Sequence, residues 1–175
     1  MEDAITLKPA YFNDLPFIVE VYNQSIPAGL ATADHQPIAV EERVNWFHAH
    51  TTTTHPLWLV CKEEQPVGWL SFNKFYDRQA YAGVVEVSLY LHSSYHGKGI
   101  GKICLALAIE ESRRRNIHTL LALIFSHNAI SVKLFEEAGF KKWGYFPQVA
   151  DMPNGWRDLL IYGLKVNPNI TTDIE

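Results

Sequence analysis

Cysteine, basic charge and long hydrophobic runs are all scarce in this sequence. Its only cysteines, Cys61 and Cys104, form no CxxC pair and no metal-ligand spacing, so we interpret both as small buried hydrophobic residues. The 15 basic residues against 19 acidic ones give a formal net charge of −4, which argues against a nucleic-acid-binding surface. No apolar run approaches the roughly 20 residues of a membrane span, and the N-terminus lacks the features of a signal peptide. We therefore expect a cytoplasmic protein with neither nucleic-acid nor membrane partners.

The composition is sufficient for one folded unit. The 175 residues are 47% hydrophobic and 13% aromatic, which allows a sizeable core. We expect a single domain over residues 1–165 and a flexible polar tail over residues 166–175. The eight histidines form no ligand spacing with carboxylates or cysteines, so no metal site is expected.

Hydrophobic periodicity predicts an α+β fold. Two-residue alternation and β-branched runs predict strands at residues 5–8, 57–62, 67–75, 84–91, 120–125, 143–149 and 156–165. Spacings of three and four predict helices over about 15–26, 38–50, 100–113 and 128–138. With no repeat and no linker, this order indicates one mixed sheet packed against helices.

A glycine-rich loop follows the strongest predicted strand and opens a helix. It includes Gly97, Lys98, Gly99, Ile100, Gly101 and Lys102. Such a loop directs main-chain N–H groups and the positive end of a helix toward an anion, and the two lysines add positive charge. The spacing matches neither GxGxxG nor GxxxxGK[ST], which disfavours dinucleotide-binding and NTPase functions.

The loop and its surroundings resemble the GNAT superfamily of acetyl-coenzyme A dependent acyltransferases, and most closely its phosphinothricin acetyltransferase group. That superfamily has [Q/R]-x-x-G-x-[G/A] after a strand, and here His96 stands at the first position, before Gly99 and Gly101. The other matching segments are residues 21–23, Pro37, 40–43, 46–47, 78–81, 85–90 and 128–140. The resemblance implies a mostly antiparallel central sheet of about seven strands with about four helices on both faces.

Glu86 is the candidate catalytic residue. It interrupts an apolar strand, and alternation places it on one face with Ser88 and Tyr90. A solvated face or a basic partner would also explain a carboxylate there. The resemblance implies a general base instead, because only a neutral amine attacks a thioester and a glutamate can accept the proton.

The resemblance also implies residues for both ligands. Acetyl-CoA is expected along the main chain of Leu89, Tyr90 and Leu91, at the glycine-rich loop, and at Asn128, which can also cap its helix. Arg78 is the candidate for binding a substrate carboxylate, although a solvated surface arginine is the competing interpretation. The expected pocket walls are Phe75, Tyr76, Tyr81, Val85 and Val87.

The implied function is N-acetylation of a small amino-acid-like substrate such as phosphinothricin, methionine sulfoximine or methionine sulfone. The resemblance also implies a homodimer. Two alternatives remain: acetylation of a protein or peptide amine, and a non-catalytic module that binds coenzyme A. Tyr76 stands where related sequences often have a second arginine, and Arg157 stands where some have a histidine. A catalytic histidine is therefore not expected at position 157.

Overall fold

A computed structural model of the chain describes residues 4–167. Its strands are β1 (Ile5–Pro9), β2 (Leu57–Lys62), β3 (Gln65–Lys74), β4 (Val84–Leu91), β5 (Thr119–Phe125), β6 (Lys141–Met152) and β7 (Gly155–Lys165). Its α-helices are α1 (Leu15–Asn23), α2 (Val44–His48), α3 (Ile100–Arg113) and α4 (Ala129–Glu137). Short 3-10 turns precede α1 and α2 and flank β4.

The seven strands form one sheet in the order β1-β2-β3-β4-β5-β7-β6. Every neighbouring pair is antiparallel except β4 and β5, which are parallel and connected through α3. A parallel pair requires such a crossover connection. The predicted α+β fold class with a mixed, mostly antiparallel sheet is confirmed.

The parallel pair of strands is short, and this creates the main opening in the sheet. Cα partners extend only from Val84–Thr119 to Glu86–Leu121, although both strands continue beyond these residues. Strand β4 stays paired with β3 as far as Leu91, and β5 stays paired with β7 as far as Phe125. The two inner strands therefore diverge after Glu86 and leave a fork between them.

Helices cover both faces of the sheet. On one face, α3 and α4 pack through residues such as Leu105 and Phe135 against β-strand residues including Phe72 and Val85. On the other face, α1 packs around Leu15 and Ile18, and α2 adds Trp46. Burial of these apolar side chains supplies the main favourable term in folding.

Most element boundaries agree with the sequence, with three differences. Helix α1 ends at Asn23, where turns replace the predicted continuation to residue 26. The second helix is reduced to five residues behind a 3-10 turn at Val40–Arg43. Strand β6 begins at Lys141 and continues to Met152, because its partner β7 extends the pairing beyond the predicted apolar run.

The predicted start of the tail at residue 166 is wrong. Val166 is 1% exposed, its N–H donates to the His118 carbonyl, and its own carbonyl accepts a hydrogen bond from Arg113. These contacts make Val166 part of the core. The remainder of the predicted tail, from residue 168, lies outside the described residues.

Candidate active site

A cavity of about 450 Å³ lies in the fork between β4 and β5. The diverging strands form two of its walls, and the segment after α1 forms a third. Its lining consists of residues 30–34, 86–90 and 122–125, with Tyr22, Asn128, Ser131, Phe135, Val149, Ala150 and Leu159. The fork is therefore the place where the fold leaves room for a ligand.

Glu86 lies in the lining of this cavity, at the last position of β4 that pairs with β5. Its side chain is partly buried, and burial raises the pKa of its carboxyl because the charged form is desolvated. No residue among 4–167 forms a hydrogen bond or ion pair with this carboxylate. An accessible carboxyl with a raised pKa is suited to accepting a proton from a bound molecule.

The main chain of β4 offers hydrogen-bonding groups to the cavity. The His92 N–H donates to the Val67 carbonyl across the β3–β4 pair, and alternation therefore directs the N–H groups of Val87, Leu89 and Leu91 away from β3. The parallel bridge between Glu86 and Leu121 uses the Val87 N–H, whereas Leu89 and Leu91 lie beyond it and have no β5 partner. Leu89 thus presents an unpaired main-chain N–H at the cavity wall, as an oxyanion donor requires.

Tyr90 differs from its two neighbours because its main chain faces β3, and its predicted contact with the coenzyme stays a prediction. Alternation directs its main chain toward Trp69 of β3, where ladder hydrogen bonds already use it. Its ring stacks on Trp69 with centroids 4.7 Å apart, and its hydroxyl donates to the Ala31 carbonyl at 2.9 Å. Burial raises the pKa of the Tyr90 hydroxyl above its ordinary value, so the phenol stays neutral. Tyr90 is therefore an uncharged residue of the cavity wall.

The glycine-rich loop has the backbone conformation expected for an anion site. Gly97 and Gly99 have φ angles of 71° and 75°, in the left-handed region that favours glycine, and Gly99 is the N-cap of α3. Nothing lies within 4 Å of a Cβ built at either residue, so their main chain is open to a ligand. Gly101 has a packing role instead, since a Cβ there would lie 3.1 Å from Leu134 of α4.

The two lysines and the histidine of the loop have different positions. Lys98 and Lys102 are exposed beside the start of α3, and Lys98 lies 5.0 Å from the centre of the Tyr95 ring. The His96 ring nitrogen Nε2 is 2.8 Å from the Leu91 carbonyl oxygen. His96 therefore attaches the loop to the end of β4, which is the role that the structure assigns to this departure from the family pattern.

Asn128 connects α4 to the segment that covers the cavity. Its Oδ1 accepts the Ser131 N–H at 3.2 Å, which confirms the predicted helix cap. Its Nδ2 donates to the Leu30 carbonyl at 3.1 Å. Both functional groups of this buried side chain are thus used within the protein, and its predicted coenzyme contact stays a prediction.

The segment 30–34 lies between the first two predicted helices, and it forms a wall of the cavity. Asn128 and Tyr90 hold it through the carbonyls of Leu30 and Ala31. Asp34 accepts a hydrogen bond from the Tyr22 hydroxyl and lies 3.6 Å from the Arg43 guanidinium. The two prolines and the glycine of residues 26–37 indicate a loop here, but the contacts with Asn128 and Tyr90, 98 and 59 residues away, have no local sequence signal.

The predicted substrate residues fall into two groups. Phe75, Tyr76 and Tyr81 form an exposed aromatic cluster with ring centroids 5.5 to 6.3 Å apart, and Arg78 is exposed beside them. None of these four lines the cavity in the fork. Val87 does line it.

Val85 is misplaced in the predicted pocket. It is completely buried against the α3 and α4 side of the sheet, because alternation directs its side chain to the face opposite Glu86. Val85 is therefore part of the hydrophobic core between the sheet and the helices α3 and α4.

The charged residues of the cavity lining are acidic. Among the lining residues only Glu86 and Asp34 carry formal charge, and Asp34 is partly neutralised by Arg43. Carboxylates favour cations and amines over anions at such a position. The interior of the fork is thus suited to an amine.

Over residues 4–167 there is no group of three or more histidine, cysteine or acidic side chains arranged to hold a metal ion. Within the same residues, none of the helices combines the length and the apolar character needed to cross a bilayer.

The fold and the fork define a class of protein, the acyl-transferring enzymes whose central sheet opens between two parallel strands. The sequence model for the Acetyltransferase (GNAT) family matches residues 16–140. The chain belongs to this family and is an acetyltransferase.

Individual relatives support the same assignment. The chain is 40% identical to a Bacillus subtilis protein named "Putative phosphinothricin acetyltransferase YwnH", over 93% of this chain and 100% of that one. It is 30% identical to an L-methionine sulfoximine/L-methionine sulfone acetyltransferase of Pseudomonas paraeruginosa, over 93% and 95% of the two chains. The crystal structure of a phosphinothricin acetyltransferase from Sinorhizobium meliloti in complex with AcCoA superposes with a TM-score of 0.84 at 26% identity, covering 92% of this chain and 88% of that one.

Proposed function

We propose that this enzyme transfers an acetyl group from acetyl-CoA to the amino group of a small amino-acid-like substrate, of the phosphinothricin, methionine sulfoximine or methionine sulfone type. The observation that carries the proposal is the unpaired Glu86 carboxylate in the fork, beside the free main chain of β4. The names of the relatives supply the substrate class.

The residues present fit the coenzyme. Gly97 and Gly99 open their main chain to solvent next to the start of a 14-residue helix, as a pyrophosphate site requires. The main-chain groups of Leu89 and Leu91 continue from this loop toward Glu86 along the unpaired edge of β4. A bound acetyl-CoA supplies the activated acetyl group.

Glu86 has the role of general base in this proposal. An α-amine is mostly protonated near neutral pH, since its pKa is about 8, and it must lose a proton before it attacks a carbonyl carbon. Glu86 accepts that proton, directly or through a water molecule, which contributes roughly 10²- to 10⁴-fold in rate. The Leu89 N–H stabilises the negative charge that develops on the carbonyl oxygen.

The test is a substrate screen with acetyl-CoA, in which mass spectrometry identifies the acetylated products. Phosphinothricin, methionine sulfoximine and methionine sulfone are compared with a panel of peptides that carry free N-termini or lysines. We expect acetylation of at least one amino acid analogue. Turnover of peptides alone favours a protein acetyltransferase, and coenzyme binding without turnover of any amine favours a non-catalytic module.

The proposal includes a homodimer in the cytoplasm, where acetyl-CoA is available. Strand β6 is an edge of the sheet, and together with β7 it exposes Trp143, Tyr145, Phe146 and Trp156, each 43 to 57% exposed. Large exposed aromatic side chains on one hairpin are typical of an interface between proteins. We assign this surface, the β6–β7 aromatic surface, to a second copy of the chain.

A further inference from the structure

A chain of hydrogen bonds crosses the sheet next to Glu86, and the functions described above make no use of it. The His50 ring contacts the Trp46 carbonyl through Nδ1 at 2.8 Å, and its Nε2 lies 3.0 Å from the side-chain oxygen Oδ1 of Asn73. The amide nitrogen Nδ2 of Asn73 lies 3.0 Å from the Ser88 hydroxyl and 3.2 Å from the Ser71 hydroxyl. Four side chains thus form one connected network.

The network reaches the cavity at one residue. Ser88 lines the cavity and shares the face of β4 with Glu86, two residues away. Asn73 is the Cα partner of Glu86 on β3, and Ser71 is the partner of Ser88. Ser71 is completely buried and does not line the cavity.

The His50 end of the network sets the direction of its hydrogen bonds. A carbonyl only accepts, so the Nδ1 atom of His50 carries the hydrogen that bonds to Trp46. Burial lowers the pKa of His50, which favours the neutral ring, and Nε2 of a neutral ring with hydrogen on Nδ1 is an acceptor. With Oδ1 of Asn73 beside this Nε2, two acceptors would lie face to face, so the hydrogen-bond network requires the Asn73 amide to be rotated by 180°, which puts its NH₂ group on His50.

The orientation of Asn73 decides what Ser88 offers to the cavity. After this rotation the amide oxygen takes the place of Nδ2 beside the two serines, where it can accept both hydroxyl hydrogens. The hydroxyl hydrogen of Ser88 is then used within the protein. Its remaining lone pairs are free, so Ser88 meets the cavity as a hydrogen-bond acceptor.

We propose that Ser88 is a substrate-binding residue that accepts an N–H of the attacking amine beside Glu86, and that Asn73 and His50 are positioning residues that orient its hydroxyl. The inference rests on the proposed function, because it requires an amine in the fork. Glu86 and Ser88 together give two acceptors on one face of β4. A primary amine can donate to Ser88 while Glu86 takes its proton.

Steady-state kinetics with L-methionine sulfoximine and acetyl-CoA test the role of Ser88. Ser88→Ala removes the acceptor and we expect kcat/KM for the amine to fall by about tenfold or more, with the Kd for acetyl-CoA unchanged. Ser71→Ala is the matched control, because it removes the other hydroxyl bonded to Asn73 without altering the cavity, and less than about a threefold loss is expected. Ser88→Thr retains a hydroxyl on a residue suited to a strand, and it should stay within about threefold of the wild type.

Equal losses in Ser88→Ala and Ser71→Ala, or full activity of Ser88→Ala, would overturn the role of Ser88 while the proposed function stands. A wild-type enzyme that acetylates no amine in the screen overturns the proposed function, and the role of Ser88 toward the amine with it. The orientation of the Asn73 amide can be tested separately, by an experiment that does not depend on enzyme activity.

Nuclear magnetic resonance of the ¹⁵N-labelled full chain tests that orientation. We expect the His50 ring to be neutral with hydrogen on Nδ1 at pH 7. Asn73→Asp replaces the NH₂ group by an oxygen, and we expect it to convert His50 to the doubly protonated ring at the same pH. A doubly protonated His50 in the wild type, or hydrogen on Nε2 of the neutral ring, would reverse the proposed direction of the network.

Discussion

At the scale of single residues, Glu86 combines the proposed role of general base with an unfavourable environment for its charge. Its carboxyl lies on a sheet face with no basic partner among residues 4–167, and burial raises its pKa. Such a group is retained at a cost in stability when it takes part in chemistry. Both the rate of the reaction and the free energy of unfolding should therefore depend on this carboxyl.

Glu86→Gln removes the base and keeps the shape of the side chain. We expect kcat to fall by roughly 10²-fold or more and the Kd for acetyl-CoA to be unchanged. In the wild type, the acid limb of the kcat/KM profile should lie above the ordinary pKa of a glutamate, because the base works only when it is deprotonated. A glutamine variant with wild-type kcat would remove Glu86 from the mechanism.

The same substitution alters the pH dependence of stability. A carboxyl whose pKa is raised in the folded state binds its proton more tightly there than in the unfolded chain. The free energy of unfolding of the wild type therefore decreases as pH rises from the unfolded pKa through the folded pKa. Glu86→Gln should remove this decrease, so that urea unfolding shows the variant to be the more stable protein at pH 7 but not at pH 4.

The proposed role of Arg78 can also be tested by substitution. It is an exposed side chain near the start of β4, outside the cavity lining, and we propose that it binds the carboxylate of the substrate. Arg78→Ala should raise the KM for methionine sulfoximine about tenfold and leave the Kd for acetyl-CoA unchanged. Arg157→Ala is the control, because Arg157 contacts the carbonyls of Trp156 and Asn154. Equal effects of the two variants would count against the assignment.

At the scale of elements, the start of α3 depends on a backbone conformation that only glycine adopts easily. Gly99 is its N-cap, at a φ of 75°. Gly99→Ala should cost about 1–2 kcal/mol of stability through strain and should also weaken acetyl-CoA binding. Gly155→Ala places a comparable strain at a φ of 105° in the β6–β7 turn, where nothing lies within 4 Å of the added Cβ. Titration calorimetry should show weaker binding of acetyl-CoA only for Gly99→Ala. If both variants bind acetyl-CoA equally well, the glycine-rich loop has no role in binding.

The contact between α4 and the segment 30–34 allows two roles of Asn128 to be separated. Asn128→Asp keeps an oxygen for the Ser131 N–H but replaces the donor to the Leu30 carbonyl by a second acceptor. We expect a loss of about 1–3 kcal/mol of stability, because two acceptors then face each other at a buried position, together with faster amide hydrogen exchange in residues 30–34. Asn128→Ala should show the same exchange and lose about 1 kcal/mol of stability as well. Unchanged exchange in both variants would mean that other contacts hold this segment.

At the scale of the whole molecule, the β6–β7 aromatic surface is the candidate for self-association. We expect the wild type to sediment at twice the chain mass of 20.0 kDa, and Trp156→Glu to shift it toward the monomer by placing a charge in the interface. Ile130→Glu is the control, since Ile130 is an 80% exposed apolar residue on α4. A wild type that sediments as a monomer at tens of micromolar would contradict the proposed dimer.

The sequence by itself determined those parts of this protein that depend on local patterns. Alternation and β-branched residues defined Val84–Leu91 to the residue and placed Glu86 on the face opposite Val85. The glycines of residues 97–101 indicated the strand-to-helix turn, and Asn128 indicated a helix start. The family resemblance rested on these same local segments.

Only the tertiary structure decided how distant segments meet. The divergence of β4 and β5 after Glu86, the closure of the cavity by residues 30–34 and the His50–Asn73–Ser88 network all join parts of the chain that are far apart in sequence. The same holds for Tyr90, whose main chain is used by β3, and for Val166, whose contacts are with His118 and Arg113. Local patterns report the period and the ends of an element, whereas pairing register and side-chain contacts depend on which elements pack together. That packing is a property of the whole chain.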